Sequence, residues 1–211
     1  MFEGANIAVF DCEIKNVIDK VKIGWGDHDK MGISVAVVFD YREMRFRVFD
    51  DSNASEFIAL ISKRDYLIGY NTIKFDVPLV NACWNHHIGP DTRQPLHFDM
   101  LKEIYNIIGL KKGYTVDEVA QETIGMKKSG NGADAPIWYQ NGEIGRVIDY
   151  CIQDVNVEKA LFEHVASKGY IRRFGNDIPI ILPERLQRIC RSTKVDTMTI
   201  SDGISMADGG S

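Results

Sequence analysis

Three segments of the chain carry carboxylates at positions where an apolar strand or helix would bring them together. Asp11 and Glu13 are two residues apart in the strand-like segment NIAVFDCE, so a period of two puts both on one face. Asp76 opens a helix after the apolar segment YLIGY, and Asp154 lies among apolar residues of a long helical segment. Taken singly, each acid also fits an ordinary surface or helix-cap position. Together they offer the oxygen ligands that two divalent cations need for phosphodiester hydrolysis.

The elements around these acids alternate between strands and helices after an antiparallel start. Apolar, β-branched segments predict strands over residues 6–13, 33–40, 44–50, 66–70 and 96–99. Apolar faces of helical period predict helices over residues 54–63, 77–87, 100–108 and 143–167. The short link 40–43 between the second and third strands is typical of a hairpin. This pattern indicates the α/β class, with a mixed sheet flanked by helices.

Two helix starts carry the spacing of a capping box. Asn53 with Glu56, and Thr115 with Glu118, are placed so that the first side chain caps the helix and the second bonds back to it. Gly125 follows the second of these helices, and we expect it to end that helix.

Length and composition are those of one domain with a sizeable core. The chain has 211 residues, of which 45% are hydrophobic and 26% charged. We predict one domain over residues 1–190 and a disordered tail over 191–211, because the tail carries small and polar residues without an apolar period. The start of the chain lacks the pattern of a signal peptide, and no stretch approaches 18 apolar residues. We therefore expect a cytoplasmic protein without a membrane partner.

Charge and cysteine content narrow the class of site. The formal net charge is −5, which argues against nucleic-acid binding by basic side chains alone, although bound cations would present positive charge to phosphates. The four cysteines form no CxxC pair, so a reducing compartment is the simpler interpretation. Cys83, His86 and His87 have no second ligand pair to complete a zinc site, and we predict none.

The motifs FDCE, GYNTIKFDVPLV and YCIQD occur in this order along the chain. They resemble the three motifs of DEDD 3′→5′ exonucleases of the ribonuclease-H-like superfamily, in the version with tyrosine in the third motif. The resemblance spans residues 5 to about 168 and is strongest to the proofreading exonuclease domain of family B DNA polymerases. The stretch KKSGNGADAPIWYQNGE resembles stand-alone bacterial and phage relatives. The resemblance implies a ribonuclease-H-like fold whose first three strands are antiparallel.

The resemblance also implies a role for each motif residue. Asp11 would bridge two ions, Mg²⁺ or Mn²⁺. Glu13 and Asp154 would complete the shell of the ion that activates water, and Asp76 would support the second ion. Tyr150 would orient the attacking water by its hydroxyl group.

Other residues are expected to contact the nucleic acid. The resemblance implies that Asn71 and Phe75 contact the terminal nucleotides, with Phe75 wedging or stacking. Lys128 lies beside the Gly-rich segment before the third motif, and we predict that it contacts a phosphate. Ile14 departs from the threonine that is usual in the polymerase domains, so contacts at the terminal nucleotide are expected to differ. For Asp99, a helix N-cap and a place near the acids both remain open.

The activity implied is 3′→5′ hydrolysis of single-stranded DNA, which releases nucleoside monophosphates by a two-metal mechanism. The alternatives are a 3′→5′ exoribonuclease, because the same motifs serve both substrates, and a non-catalytic nucleic-acid-binding module. The expected partners are 3′ ends of single-stranded DNA and, since the chain has no room for a polymerase module, a replication or repair protein. The relatives indicate a bacterial or phage-encoded intracellular protein.

Overall fold

A five-stranded mixed sheet lies at the centre of this computed structural model, which describes residues 2–19, 21–88, 95–127 and 130–201, and of 193–201 the backbone alone. Its strands are β1 (Ile7–Ile14), β2 (Ile33–Asp40), β3 (Arg45–Phe49), β4 (Tyr66–Gly69) and β5 (Leu96–Asp99). They are arranged in the order β3-β2-β1-β4-β5. The first three strands are antiparallel, whereas β4 is parallel to both β1 and β5. The predicted α/β class with an antiparallel start is confirmed.

Helices cover both faces of this sheet. They are α1 (His28–Met31), α2 (Ala54–Ile61), α3 (Asp76–Cys83), α4 (Met100–Ile108), α5 (Val116–Ile124), α6 (Ala135–Gln140), α7 (Ile144–Lys168) and α8 (Glu184–Ser201). A 3₁₀ turn over Gly132–Asp134 leads into α6. Among the described residues, no helix has the length and apolar character to cross a membrane.

The alternation of β1 divides the core in two. Ile7 and Val9 pack in the cluster that contains Val155 of α7, whereas Ala8 and Phe10 pack in the cluster that contains α2 and α3. Successive side chains of a strand point to opposite faces, so the positions that continue the Ile7–Val9 series lie on the α7 side. These positions are occupied by acids, and the register of β1 therefore decides which helix they face.

The two predicted capping boxes have different outcomes. Thr115 accepts a hydrogen bond from the Glu118 backbone, and Glu118 bonds back to Thr115, so this box is confirmed. The box predicted at Asn53 is wrong, because the Asn53 side chain accepts from the Asp50 backbone N–H instead, at 2.8 Å. Asn often closes a local turn in this way, in competition with capping. Gly125 ends α5 in the left-handed conformation, as predicted.

A hairpin and a final helix follow α7 and were not predicted. Strands β6 (Tyr170–Arg173) and β7 (Asn176–Pro179) pair with each other, and Arg173 forms ion pairs with Glu118 and Glu122 of α5. These ion pairs hold the hairpin against α5. The backbone of α8 runs to Ser201, and residues 202–211 lie outside the described residues, so the disordered tail over 191–211 stays a prediction.

His97 of β5 is held in its neutral form. Neither ring nitrogen has a hydrogen-bond partner among the described residues, and burial, with a smaller contribution from Lys102, lowers the pKa of His97 from 6.5 to about 4. The unfolded chain binds a proton at His97 near pH 6.5, whereas the folded chain binds it only near pH 4. The contribution of neutral His97 to the unfolding free energy is therefore fully present above pH 6.5 and is lost as the pH falls towards 4.

We predict that His97→Phe flattens this acid-side loss. Between pH 6.5 and pH 4, the wild type should lose up to about 3 kcal/mol more of its unfolding free energy than the variant loses. Urea denaturation at a series of pH values measures it. His87→Gln, at an exposed position, serves as the control and should keep the wild-type pH dependence. Equal slopes for wild type and His97→Phe would contradict the prediction.

Candidate active site

Two acids of β1 lie against α7. Oxygen atoms of Asp11 and Glu13 and the Sγ atom of Cys151 all lie within 4.8 Å of one another. The Cys151 thiol lies 3.5 Å from the Asp11 carbonyl oxygen and 3.8 Å from Asp11 Oδ2. Burial, and then the charge of Asp11, raises the pKa of this thiol, so it contacts Asp11 as a neutral donor. Asp154 lies three residues further along α7, only 2% exposed, and Tyr150 precedes Cys151.

Asp76 reaches the same strand from the other side. It is the first residue of α3, and its Oδ1 accepts a hydrogen bond from the backbone N–H of Cys12 at 3.0 Å. This hydrogen bond ties Asp76 to β1. The N-cap residue of α3 is Phe75, and no side-chain hydrogen bond caps the helix there. Burial, and then the negative charge of Asp11, raises the pKa of Asp76 well above its usual range. The two carboxylates therefore repel each other across the end of β1 when both are ionised.

The Asp99 carboxylate holds the loop that leads to Asp76. It caps α4 by accepting from the N–H groups of Leu101 and Lys102, at 3.0 and 3.2 Å. It also accepts from the N–H groups of Asn71 and Ile73, at 2.8 and 3.1 Å. The N-cap role is confirmed, and the second pair of bonds places Asp99 directly behind the site loop.

The same loop contains one residue with an unusual backbone conformation and one glycine that packs closely against a side chain. Asn71 has a φ of 66°, in the left-handed region that asparagine tolerates better than most residues. Gly69 ends β4, and a Cβ atom there would lie 2.2 Å from Thr72 Cγ2, so any side chain at this position would force the buried Thr72 to move. The segment GYNT therefore turns tightly after β4 and presents Asn71 to the cleft.

The predicted site residues line two adjoining clefts. The first has a volume of about 720 Å³ and is lined by Asp11, Glu13, Asn71, Phe75, Tyr150 and Asp154. The second, of about 490 Å³, shares Asp11, Asn71 and Phe75 with the first and adds Asp76. Asp11 thus borders both clefts. The structure brings together every predicted site residue except Lys128, which lies outside the described residues.

Sequence reasoning missed an aromatic residue at the rim of the first cleft. Trp25 is 64% exposed, and its ring centroid lies 6.0 Å from that of Phe75 in an edge-on arrangement. The loop that presents it is tied by Asp19, whose Oδ1 accepts from three successive N–H groups, those of Val21, Lys22 and Ile23. A tryptophan between two glycines in a polar segment was the available signal.

The second cleft adds three charged residues that were not assigned to the site. Glu158, a buried carboxylate one turn beyond Asp154 on α7, lines it, as do the exposed Lys111 and Lys112. The i,i+4 spacing of Asp154 and Glu158 was the signal for the first of these. Nothing in the sequence assigned the two lysines to the site, whereas the structure places them in the cleft that Asp11 and Asp76 also line.

The donor set fits hard divalent cations. The converging groups are carboxylates, which Mg²⁺ and Mn²⁺ prefer, and the neighbouring thiol stays protonated. Burial, and then the charge of Asp11, raises the pKa of Asp76, and a bound cation would favour its charged form. Within the described part of the chain, Cys83, His86 and His87 do not form a group with metal-ligand geometry.

Comparison with known proteins places the chain in a family. Residues 23–166 match the model of the RNase_H superfamily, and the chain belongs to this superfamily. The ribonuclease-H-like fold predicted from the motifs is confirmed. Membership points to nuclease chemistry on nucleic acid with divalent metal ions.

Solved structures show the same fold. The family B DNA polymerase from the hyperthermophilic archaeon Pyrobaculum calidifontis superposes with a TM-score of 0.61 and 17% sequence identity. The match covers 75% of this chain and 24% of the polymerase chain, so the chain corresponds to about a quarter of that protein. Comparison with curated protein sequences found no match.

We predict that Asp76→Asn stabilises the cation-free protein and reduces its response to manganese. The amide keeps an acceptor for the Cys12 N–H but removes a buried negative charge beside Asp11, whereas the wild type should gain about 2–3 kcal/mol from Mn²⁺ at 100 times its Kd. Thermal melts with and without MnCl₂ measure both effects. Asp149→Asn, at an exposed position on α7, should respond to manganese like the wild type. An unchanged manganese shift in Asp76→Asn would contradict the assignment.

Proposed function

We propose that the protein is a 3′→5′ exonuclease that hydrolyses single-stranded DNA to nucleoside monophosphates with two Mg²⁺ or Mn²⁺ ions. The observation that carries the proposal is the convergence of four motif acids from β1, α3 and α7 on two connected clefts. The acids are Asp11, Glu13, Asp76 and Asp154. Superfamily membership supports nuclease chemistry. The resemblance of the motifs to those of 3′→5′ exonucleases supports the direction of digestion.

The acids divide into two groups around Asp11. Asp11 borders both clefts, which suits a carboxylate shared by two ions, whereas Glu13 and Asp154 line the first cleft and Asp76 the second. Bound there, the ions would supply an activated water and charge stabilisation for the leaving oxygen. Each acid lies on a strand or helix of the core, and Asp76 is also held by the Cys12 N–H. The carboxylates are thus positioned before substrate arrives, which lowers the reorganisation that catalysis would otherwise need.

Tyr150 is the candidate for directing the nucleophile. It lines the first cleft with Asp11 and Asp154, and only 5% of its surface is exposed. A phenol hydroxyl can both donate and accept a hydrogen bond, so it can hold a water molecule in one orientation. We propose that the Tyr150 hydroxyl group orients the attacking water. The surrounding carboxylates would remove a proton from that water.

The walls of the clefts suit an unpaired strand. Trp25 and Phe75 present aromatic rings at the rim, and bases stack on such rings only when they are not held in a duplex. Lys111 and Lys112 border the second cleft, where they can contact phosphates. The aromatic rim therefore favours single-stranded ends and binds them without regard to base sequence.

We predict that Asp11→Asn lowers the rate of nucleotide release on the order of 10²–10³-fold or more, because it removes the charge that both clefts share. End-labelled DNA and RNA, each single- and double-stranded, are incubated with MgCl₂ or MnCl₂, and the product ladder is followed with time. The wild type should shorten single-stranded DNA from its 3′ end, and Asp149→Asn should match it. Faster digestion of RNA would replace DNA by RNA as the substrate, and near-normal rates in Asp11→Asn would overturn the proposal.

We predict that Trp25→Ala raises KM for single-stranded oligonucleotides about 5- to 100-fold while kcat stays within a factor of about two, since one stacked base contributes roughly 1–3 kcal/mol. Trp25→Phe should retain part of the affinity. Steady-state kinetics on a labelled oligonucleotide measure both constants. Ile181→Ala removes a 79% exposed apolar side chain outside both clefts and should leave KM unchanged. A KM for Trp25→Ala equal to that of the wild type would refute the stacking role.

A further inference from the structure

The ring of Tyr150 is enclosed by a tryptophan and by backbone. The ring centroids of Trp138 and Tyr150 lie 5.6 Å apart at an interplanar angle of 73°, an edge-on contact. Gly130 packs against both rings, since a Cβ atom there would lie 3.1 Å from Tyr150 Cε2 and 3.4 Å from Trp138 Cη2. A Cβ atom at Gly132 would lie 3.6 Å from the Tyr150 hydroxyl oxygen. The Gly-rich segment before the third motif thus lies along the tyrosine from ring to hydroxyl.

Trp138 is itself fixed from its outer side. The guanidinium carbon of Arg146 lies 4.1 Å from the centroid of the Trp138 ring, and Arg146 pairs with Glu143 at 3.0 Å. The Trp138 carbonyl accepts a hydrogen bond from the Glu143 N–H at 2.8 Å. A cation over an indole face is attracted by the negative charge of that face. Arg146, Trp138 and Tyr150 therefore form one continuous series of side-chain contacts.

The helix that carries Trp138 is also joined to the strand of the acids. The Gln140 side chain donates to the backbone carbonyl of Lys15 at 3.2 Å, and Lys15 Nζ lies 5.9 Å from the centroid of the Tyr139 ring. Lys15 follows Glu13 by two residues. Helix α6 thus connects the end of β1, which carries Asp11 and Glu13, with α7, which carries Tyr150. The relative position of hydroxyl and carboxylates depends on this connection.

We propose that Trp138 is a positioning residue, which acts with Gly130 to hold the Tyr150 hydroxyl in one orientation towards the acids. This inference rests on the proposed function, in which that hydroxyl orients the attacking water. Without the indole, the Tyr150 ring faces space on one side and gains access to other rotamers. The enzyme then spends part of its time with the hydroxyl out of place, and kcat falls while substrate contacts persist.

A double-mutant cycle tests the proposal. Trp138→Ala should lower kcat roughly 10-fold with KM within a factor of about two, because displacement of a reacting group by about 1 Å costs up to 10²-fold. Trp138→Phe should restore most of kcat. In the Tyr150→Phe background, Trp138→Ala should cause no further loss, since two residues that act through one hydroxyl group are not additive. A merely structural tryptophan would lower activity equally in both backgrounds.

A glycine pair gives a second test that keeps the tryptophan. Gly130→Ala should lower kcat, because its methyl group must displace the Tyr150 ring by a few tenths of an ångström. Gly145→Ala, on α7 with no atom within 4 Å of the added Cβ, is the matched control and should keep the wild-type kcat. If Trp138→Ala fails to fold, the comparison of Gly130→Ala with Gly145→Ala tests the proposal in its place.

The outcomes separate this inference from the function on which it rests. Wild-type digestion that depends on Asp11 establishes the nuclease, whatever happens at Trp138. Given that activity, the inference is overturned by wild-type kcat in Trp138→Ala, by equal losses in the two backgrounds, or by wild-type kcat in Tyr150→Phe. If Trp138→Ala does not fold, wild-type kcat in Gly130→Ala overturns it.

Discussion

Repulsion between buried carboxylates is the constraint on which the rest of this structure depends. Asp76 is 2% exposed, and its pKa is raised by burial and by the charge of Asp11. The two carboxylates therefore repel each other across the end of β1 when both are ionised. A fold can hold such groups together only if other interactions over-determine their positions. The central place of β1 in the sheet, with neighbours on both sides, supplies that rigidity. The acids are thereby arranged for cations that would remove their repulsion.

Backbone amides provide much of the positioning. Asp99 accepts four N–H groups, two at the start of α4 and two from the loop after β4, and so joins that loop to the sheet. The Cys12 N–H binds Asp76 directly. On the opposite wall, α6 connects Lys15 with Trp138, whose ring contacts Tyr150 edge-on. Asn71, Asp76 and Tyr150 are therefore each held by a neighbouring group, an arrangement that keeps a site precise.

Several parts of the fold and site could be predicted because the responsible interactions are local in sequence. The period of two in β1 predicted that Asp11 and Glu13 share a face, and the hairpin link predicted the antiparallel start. Thr115 and Glu118 predicted their capping box for the same reason. The capping box predicted at Asn53 was wrong because two local hydrogen bonds competed for one side chain, and the bond to the preceding turn was favoured.

The sequence by itself determined the class of fold, the identity of the acids and their order, since periodicity and motif spacing are properties of the chain. Only the tertiary structure decided that Asp11 borders two clefts, that Asp99 holds the Asn71 loop and that Lys111 lies beside the acids. It also placed Trp25 against Phe75, some fifty residues away in sequence. Contacts between distant segments depend on how strands and helices pack, and packing leaves no period in the sequence to predict them.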